Sequence, residues 1–215
     1  MFLKELIKFK YMEKKYIYTI MVFLIVALSI FAFWMINKDK HEPLVISPFY
    51  SFVVSELGDI TLVENEEAGL KFVIPEGWEV TDDLLASFSM RTKDFVPFND
   101  NLSSASVPKK GCWIGATVRY EKEGSDNDYY FSSNKYYIDN PDALMEDQEI
   151  IEIDNIKALK EIINGEEINP GRIELIWIPI NDKVYLFESD LFGEDQEECK
   201  THFDNFLNTI SIKKQ

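Results

Sequence analysis

Cysteine and histidine are close to absent, with two of each in 215 residues. The chain holds neither a C-x-x-C pair nor an H-E-x-x-H segment, which excludes the zinc sites built on those spacings. Basic residues are also scarce, 22 against 38 acids, for a formal net charge of −16. A surface of that sign repels phosphate backbones and excludes nucleic acid as a partner. The nine glycines form no phosphate-cradling loop, and no G-x-S-x-G elbow is present, so nucleotide hydrolysis and α/β-hydrolase chemistry lack their signatures. No repeat, low-complexity tract or second long apolar run occurs. One apolar run does.

That run covers residues 17–36, bounded by Ile17 and Ile36. At about 1.5 Å per helical residue it reaches roughly 30 Å, the thickness of a bilayer's hydrocarbon core. Lys4, Lys8, Lys10, Lys14 and Lys15 precede it, and basic residues at a span end stay on the cytoplasmic side. Tyr16 and Tyr18 at one end and Phe33 and Trp34 at the other suit the headgroup boundaries. The expectation is an uncleaved signal anchor: single-pass in the cell membrane, N-terminus cytoplasmic, main domain extracytoplasmic. A cleaved signal peptide is the alternative, with Ala27-Leu28-Ser29 as its one passable site, but the apolar run is long for one. The expected organisation is a basic cytoplasmic segment over 1–16, a transmembrane helix over 17–36 and a linker over 37–57 with Pro43 and Pro48. An extracytoplasmic domain follows over 58–215. The expected partners are the lipid bilayer and an envelope or membrane protein; no cofactor motif is present.

Within the domain, residues 60–63 and 70–74 read as a hairpin, and Pro75-Glu76-Gly77 stops the ladder before Trp78. Thr81-Asp82-Asp83 suggests an N-cap for a short helix through Leu84, Leu85 and Phe88, and residues 87–91 also read as a further strand. Residues 95–110 hold two prolines and a Ser/Asn cluster and read as a long loop, the usual place for binding. The stretch 112–120 alternates as a strand, with Cys112, Ile114, Ala116, Val118 and Tyr120 on the face expected to be buried. Residues 149–153 and 156–163 straddle the turn dipeptide Asp154-Asn155, although Ile156, Leu159, Ile162 and Ile163 also fit a helix. Residues 172–180 and 183–191 flank Asn181-Asp182 as a hairpin, the first arm apolar on both faces. Cys199, Phe203, Phe206, Leu207 and Ile210 recur at helical spacing in an amphipathic helix.

Several of these segments together resemble a known family. Phe72-Val73-Ile74-Pro75-Glu76-Gly77-Trp78-Glu79-Val80, the strand–turn–strand at 151–160, the strand pair ending at Leu191 and the close on Phe206-Leu207-Asn208-Thr209-Ile210 are similar to the PsbP-like fold. That resemblance spans roughly residues 58–213. It implies an α+β domain, an antiparallel sheet sandwiched by helices, used as a scaffold for binding or assembly and carrying no shared active site.

The candidate chemistry is thin. Cys112 lies on an apolar strand face and Cys199 on an apolar helix stripe, so either a disulfide between them or two buried thiols fits. Cys199 with His202 at i,i+3, near Asp195 and Glu198, is the one local nucleophile–base pairing and gives the alternative function, a hydrolytic or metal-dependent envelope enzyme. Asp126 and Asp128 resemble part of a calcium loop, but local turn chemistry also accounts for them. Phe95 and Phe98 in the long loop, with Tyr129 and Tyr130 in the densest aromatic group, form the candidate binding surface, for which protein or carbohydrate is the expected contact. Tyr129, Tyr130, Phe131, Tyr136 and Tyr137 are expected on strand faces.

Overall fold

The computed structural model describes residues 45–81, 86–97, 108–121, 124, 128–165 and 171–214. The apolar run at 17–36, the helix start at 82–85, Phe98 and Asp126 lie outside the described residues. Among those described, no helix is long and apolar enough to cross a membrane.

Strands β1 (Val45–Ile46), β2 (Val53–Leu57), β3 (Ile60–Asn65), β4 (Leu70–Ile74), β5 (Trp78–Thr81), β6 (Phe88–Thr92), β7 (Val96–Pro97), β8 (Pro108–Lys110) and β9 (Trp113–Tyr120) come first. Helix α1 (Tyr129–Asp139) follows. Then come β10 (Gln148–Ile153), β11 (Ile156–Asn164), β12 (Arg172–Ile180) and β13 (Lys183–Leu191), helix α2 (Gln196–Leu207) and β14 (Ser211–Ile212). Eight strands make one sheet in the order β10-β11-β12-β13-β9-β6-β5, with β1 on the edge of β9; four make a second, β14-β4-β3-β2; β7 and β8 pair alone. The pairings between described strands are antiparallel.

Period-two alternation sorts the large sheet's side chains onto two cores. Leu159, Leu175, Trp177, Val184 and Leu186 meet Phe131 and Ile138 of α1 on one face. Ala158, Ile176, Ile178, Tyr185, Phe187, Ile114, Ala116 and Val118 meet α2 and the four-stranded sheet on the other. This double burial explains why β12 is apolar on both faces from Leu175 onward, since a strand covered on both sides shows no polar face. It also revises β9, whose second face is buried as well, with Trp113 1% exposed. The Trp113 ring lies where a Cβ on Gly115 would sit, 2.5 Å away, so only glycine fits beneath it.

The hairpin reading holds for 148–164: β10 and β11 pair across Asp154 and Asn155, both at positive φ, as a two-residue primed turn requires. The helical option for 156–163 is thereby excluded. Asn181, also at positive φ, closes β12 on β13.

Four expectations change. The segment 45–57, read as linker, is folded: β1 pairs with β9, Phe52 is buried and β2 joins the second sheet. The short helix expected through Phe88 does not reach it; Phe88 opens a strand, as the reading of residues 87–91 has it, and pairs with Ala116. The tyrosine-rich stretch at 129–137 is helix rather than strand. Its buried positions Phe131, Asn134 and Ile138 recur at helical spacing, and the Phe131 N–H finds its partner in Glu121, a contact distant enough to override β propensity. Finally, helices do not cover both faces alone, because α2 shares its side of the large sheet with a four-stranded sheet.

Candidate functional site

Strand β9 ends beside the start of α1, and the two bring together side chains of opposite character. Glu121 is 1% exposed, and its Oε2 accepts the Phe131 N–H at 3.0 Å. It serves one of the donors that a helix start leaves open. Burial pushes the Glu121 carboxyl above its ordinary range, and the helix N–H groups and the Arg119 charge oppose that shift in part. Asp128, just before the helix, accepts from Ser132 Oγ and from the Gly124 N–H, each at 2.6 Å. The Ser132 bond first, then the Gly124 bond, hold its carboxyl below the usual value.

Around this start the aromatics are layered. Tyr130 stacks on Trp177, centroids 5.4 Å apart and planes within 12°, and the Arg119 guanidinium carbon lies 4.4 Å from the centre of the Tyr130 ring, a cation–π distance. Trp177 Nε1 donates to Glu161 Oε2 at 3.3 Å. Tyr129 meets Tyr130 edge-on at 5.3 Å and is itself 73% exposed. Further along the same helix, Tyr136 is 55% exposed. Arg119, Tyr130 and Trp177 fix one another, and Tyr129 projects from them as an open ring on a rigid base. Such a ring loses little freedom when it is covered, which suits contact with a partner. A hollow of about 320 Å³ adjoins the sheet side of α1, with Lys135 and Lys157 among its lining residues and Phe131 and Ile138 behind them.

Of the four candidate surface residues, Tyr129 and Tyr130 thus share one site. Phe95 is elsewhere, its ring 5.5 Å from Arg91 in the turn between β6 and β7. Arg119, Glu121 and Trp177 are not singled out by sequence pattern, because strand alternation alone makes them unremarkable members of their strands. The neighbouring Arg119 and Glu121 at the end of an apolar strand are the one available signal.

The enzyme alternative loses its nucleophile. Cys112 and Cys199 are joined in a disulfide with Cα atoms 5.2 Å apart, so Cys199 has no thiolate to offer. His202 stands edge-on to Trp78 at 5.5 Å with Glu198 3.5 Å from its Nε2. Asp195, the would-be orienting group, accepts the Gly111 N–H at 2.8 Å. Among the described residues no cluster of three or more His, Cys, Asp or Glu side chains is placed to hold a metal.

No family model matches the chain, and no curated protein matches it. Solved structures do. LpqN of Mycobacterium tuberculosis, described as involved in cell envelope biogenesis, is 12% identical over 82% of this chain and 94% of its own, with a TM-score of 0.45. Cyanobacterial PsbP from Synechocystis is 13% identical over 74% and 95%, with a TM-score of 0.42. A protein of Bacteroides thetaiotaomicron is 14% identical over 68% of this chain, with a TM-score of 0.41; the chain spans about half of it, 46%. The PsbP structure is of the fold family that the segments within residues 58–213 together resemble. At these values none of the three carries a function to this chain.

Proposed function

We propose that this chain is a membrane-tethered, extracytoplasmic binding or assembly module that engages an envelope or membrane protein through the tyrosine face of α1. The observation that carries the reading is Tyr129, an open aromatic ring 73% exposed on a base fixed by Tyr130, Trp177 and Arg119. Two further features support the location. The basic segment and apolar run at 1–36 have the character of a signal anchor, and a disulfide persists outside the reducing cytoplasm.

A photo-crosslinking side chain at Tyr129 in the full chain, expressed in cells, tests the surface. Discrete adducts are expected, reduced several-fold when Arg119→Ala and Trp177→Ala loosen the base; no adduct above that at exposed Asn205 on α2 removes the reading. The tether is tested separately by fractionation with an impermeant thiol reagent on an added cysteine, which should label from outside the cell and remain with the membrane pellet.

A further inference from the structure

Strand β2 is the outer edge of the four-stranded sheet, paired with β3 alone among the described residues. Edges of this kind invite pairing with another chain unless charge, proline or a bulge blunts them. Here none does. Val53-Val54-Ser55-Glu56-Leu57 contains one charge and no proline, and its register with β3 runs without interruption. Val53 is 59% exposed, Val54 43% and Leu57 61%, with Ile60 of β3 at 53% beside them.

We propose that this edge pairs with the same edge of a second copy of the chain, antiparallel about a two-fold axis at Ser55. The turn at Gly58 and Asp59 closes with Leu57 opposite Ile60. In a two-residue hairpin the closing pair is hydrogen-bonded, so Leu57, Ser55 and Val53 direct their backbone groups to β3 while Val54 and Glu56 direct theirs outward. Centring on Ser55 sets Val54 opposite Glu56 of the second copy, both with outward groups, and Val53 opposite Leu57 of the second copy, both apolar. All five residues are used. Centring on Glu56 would set two carboxylates face to face, and centring on Val54 would leave Leu57 unpaired.

The second copy is favoured over other occupants by charge and by tethering. With Glu56 and Asp59 and no base between 53 and 62, the edge has nothing to attract an anionic lipid surface. Copies held by their N-terminal segments in one membrane would meet at raised local concentration. Five paired residues are fewer than a stable interface needs, so the contact is reversible. The pairing goes beyond the proposed function, and its raised local concentration alone rests on the tether of that reading, which the fractionation above tests separately.

The test uses the full chain as recovered from cells, whichever fraction holds it. Ser55→Cys should yield a disulfide-linked product of twice the chain mass under mild oxidation, at least tenfold faster than Asn205→Cys on α2. Adding Val54→Pro, which removes an outward N–H and leaves the β3 bonds, should abolish that product. Glu56→Lys supplies an independent arm that keeps the strand intact. The two Glu56 side chains are diagonal neighbours in this register, so mixed wild-type and Glu56→Lys copies should crosslink faster at Ser55→Cys than either alone. Ser55→Cys crosslinking at the Asn205→Cys rate overturns the proposal, as does indifference to both Val54→Pro and Glu56→Lys. Adducts only to a protein of another mass, or a Ser55→Cys thiol shielded in membranes without dimer, also overturn it in favour of another protein or of lipid.

Discussion

Glu121 is a buried carboxyl held against the start of a helix. Its carboxyl is raised by burial, so the folded protein holds that proton more tightly than the unfolded chain. As pH rises from the ordinary carboxylate range towards the raised value, the unfolded state releases its proton first, and stability falls across that window and then levels. Glu121→Gln keeps an oxygen for the Phe131 N–H and removes the ionisation. Urea melts at pH 4, 5.5 and 7 should show the wild type losing stability relative to this variant as pH increases. A wild type that gains on the variant over the same range would contradict the burial effect. Tyr129→Ala is expected to move stability by less than about 0.5 kcal/mol, as for exposed positions in general, and to act on binding alone. The tyrosines of this site were legible as a dense aromatic group, but Arg119 and Trp177 were not. Their relation to Tyr130 exists only once β9, β12 and α1 meet.

Among the elements, the hairpins were the most readable. Asp154-Asn155 and Asn181-Asp182 are turn dipeptides whose side chains tolerate positive φ, and the structure places turns at both. Asp154 also reaches beyond its own hairpin. Its Oδ2 accepts the Ile212 N–H at 2.8 Å, which fastens β14 and the second sheet to the β10–β11 turn. Asp154→Ala should cost roughly 0.5–1.5 kcal/mol, read as a lower urea midpoint at unchanged slope. Helix α2 was readable from its stripe. Phe203 and Phe206 are 0% and 1% exposed, and Phe206 meets Phe72 and Phe187 edge-on. Phe206→Ala should therefore cost about 3–5 kcal/mol in the same measurement. Helix α1 was misread because tyrosine and phenylalanine favour strands locally, while the groups that stabilise it as helix, the Glu121 carboxylate and the β12 surface, come from elsewhere in the chain.

At the scale of the whole molecule, the Cys112–Cys199 bond ties the start of β9 to α2 across 87 positions of sequence. In the chain-entropy model a loop of that length confines the unfolded state by up to about 4–5 kcal/mol. Cys112→Ser with Cys199→Ser, or reductant on the wild type, should lower the unfolding midpoint to match; thiol labelling of the denatured, unreduced protein should find no free cysteine. Local pattern by itself determined the acidic character, the single apolar run, the hairpins with their turns and the amphipathic last helix, because each depends on residues close in sequence. Only the tertiary structure decided that β9 and β12 are buried on both faces, that the segment from Val45 is part of the fold, and that there is a second sheet with an open edge. It likewise decided that Tyr130 rests between Arg119 and Trp177. Those are properties of which surfaces meet, and no local spacing carries the partner's identity.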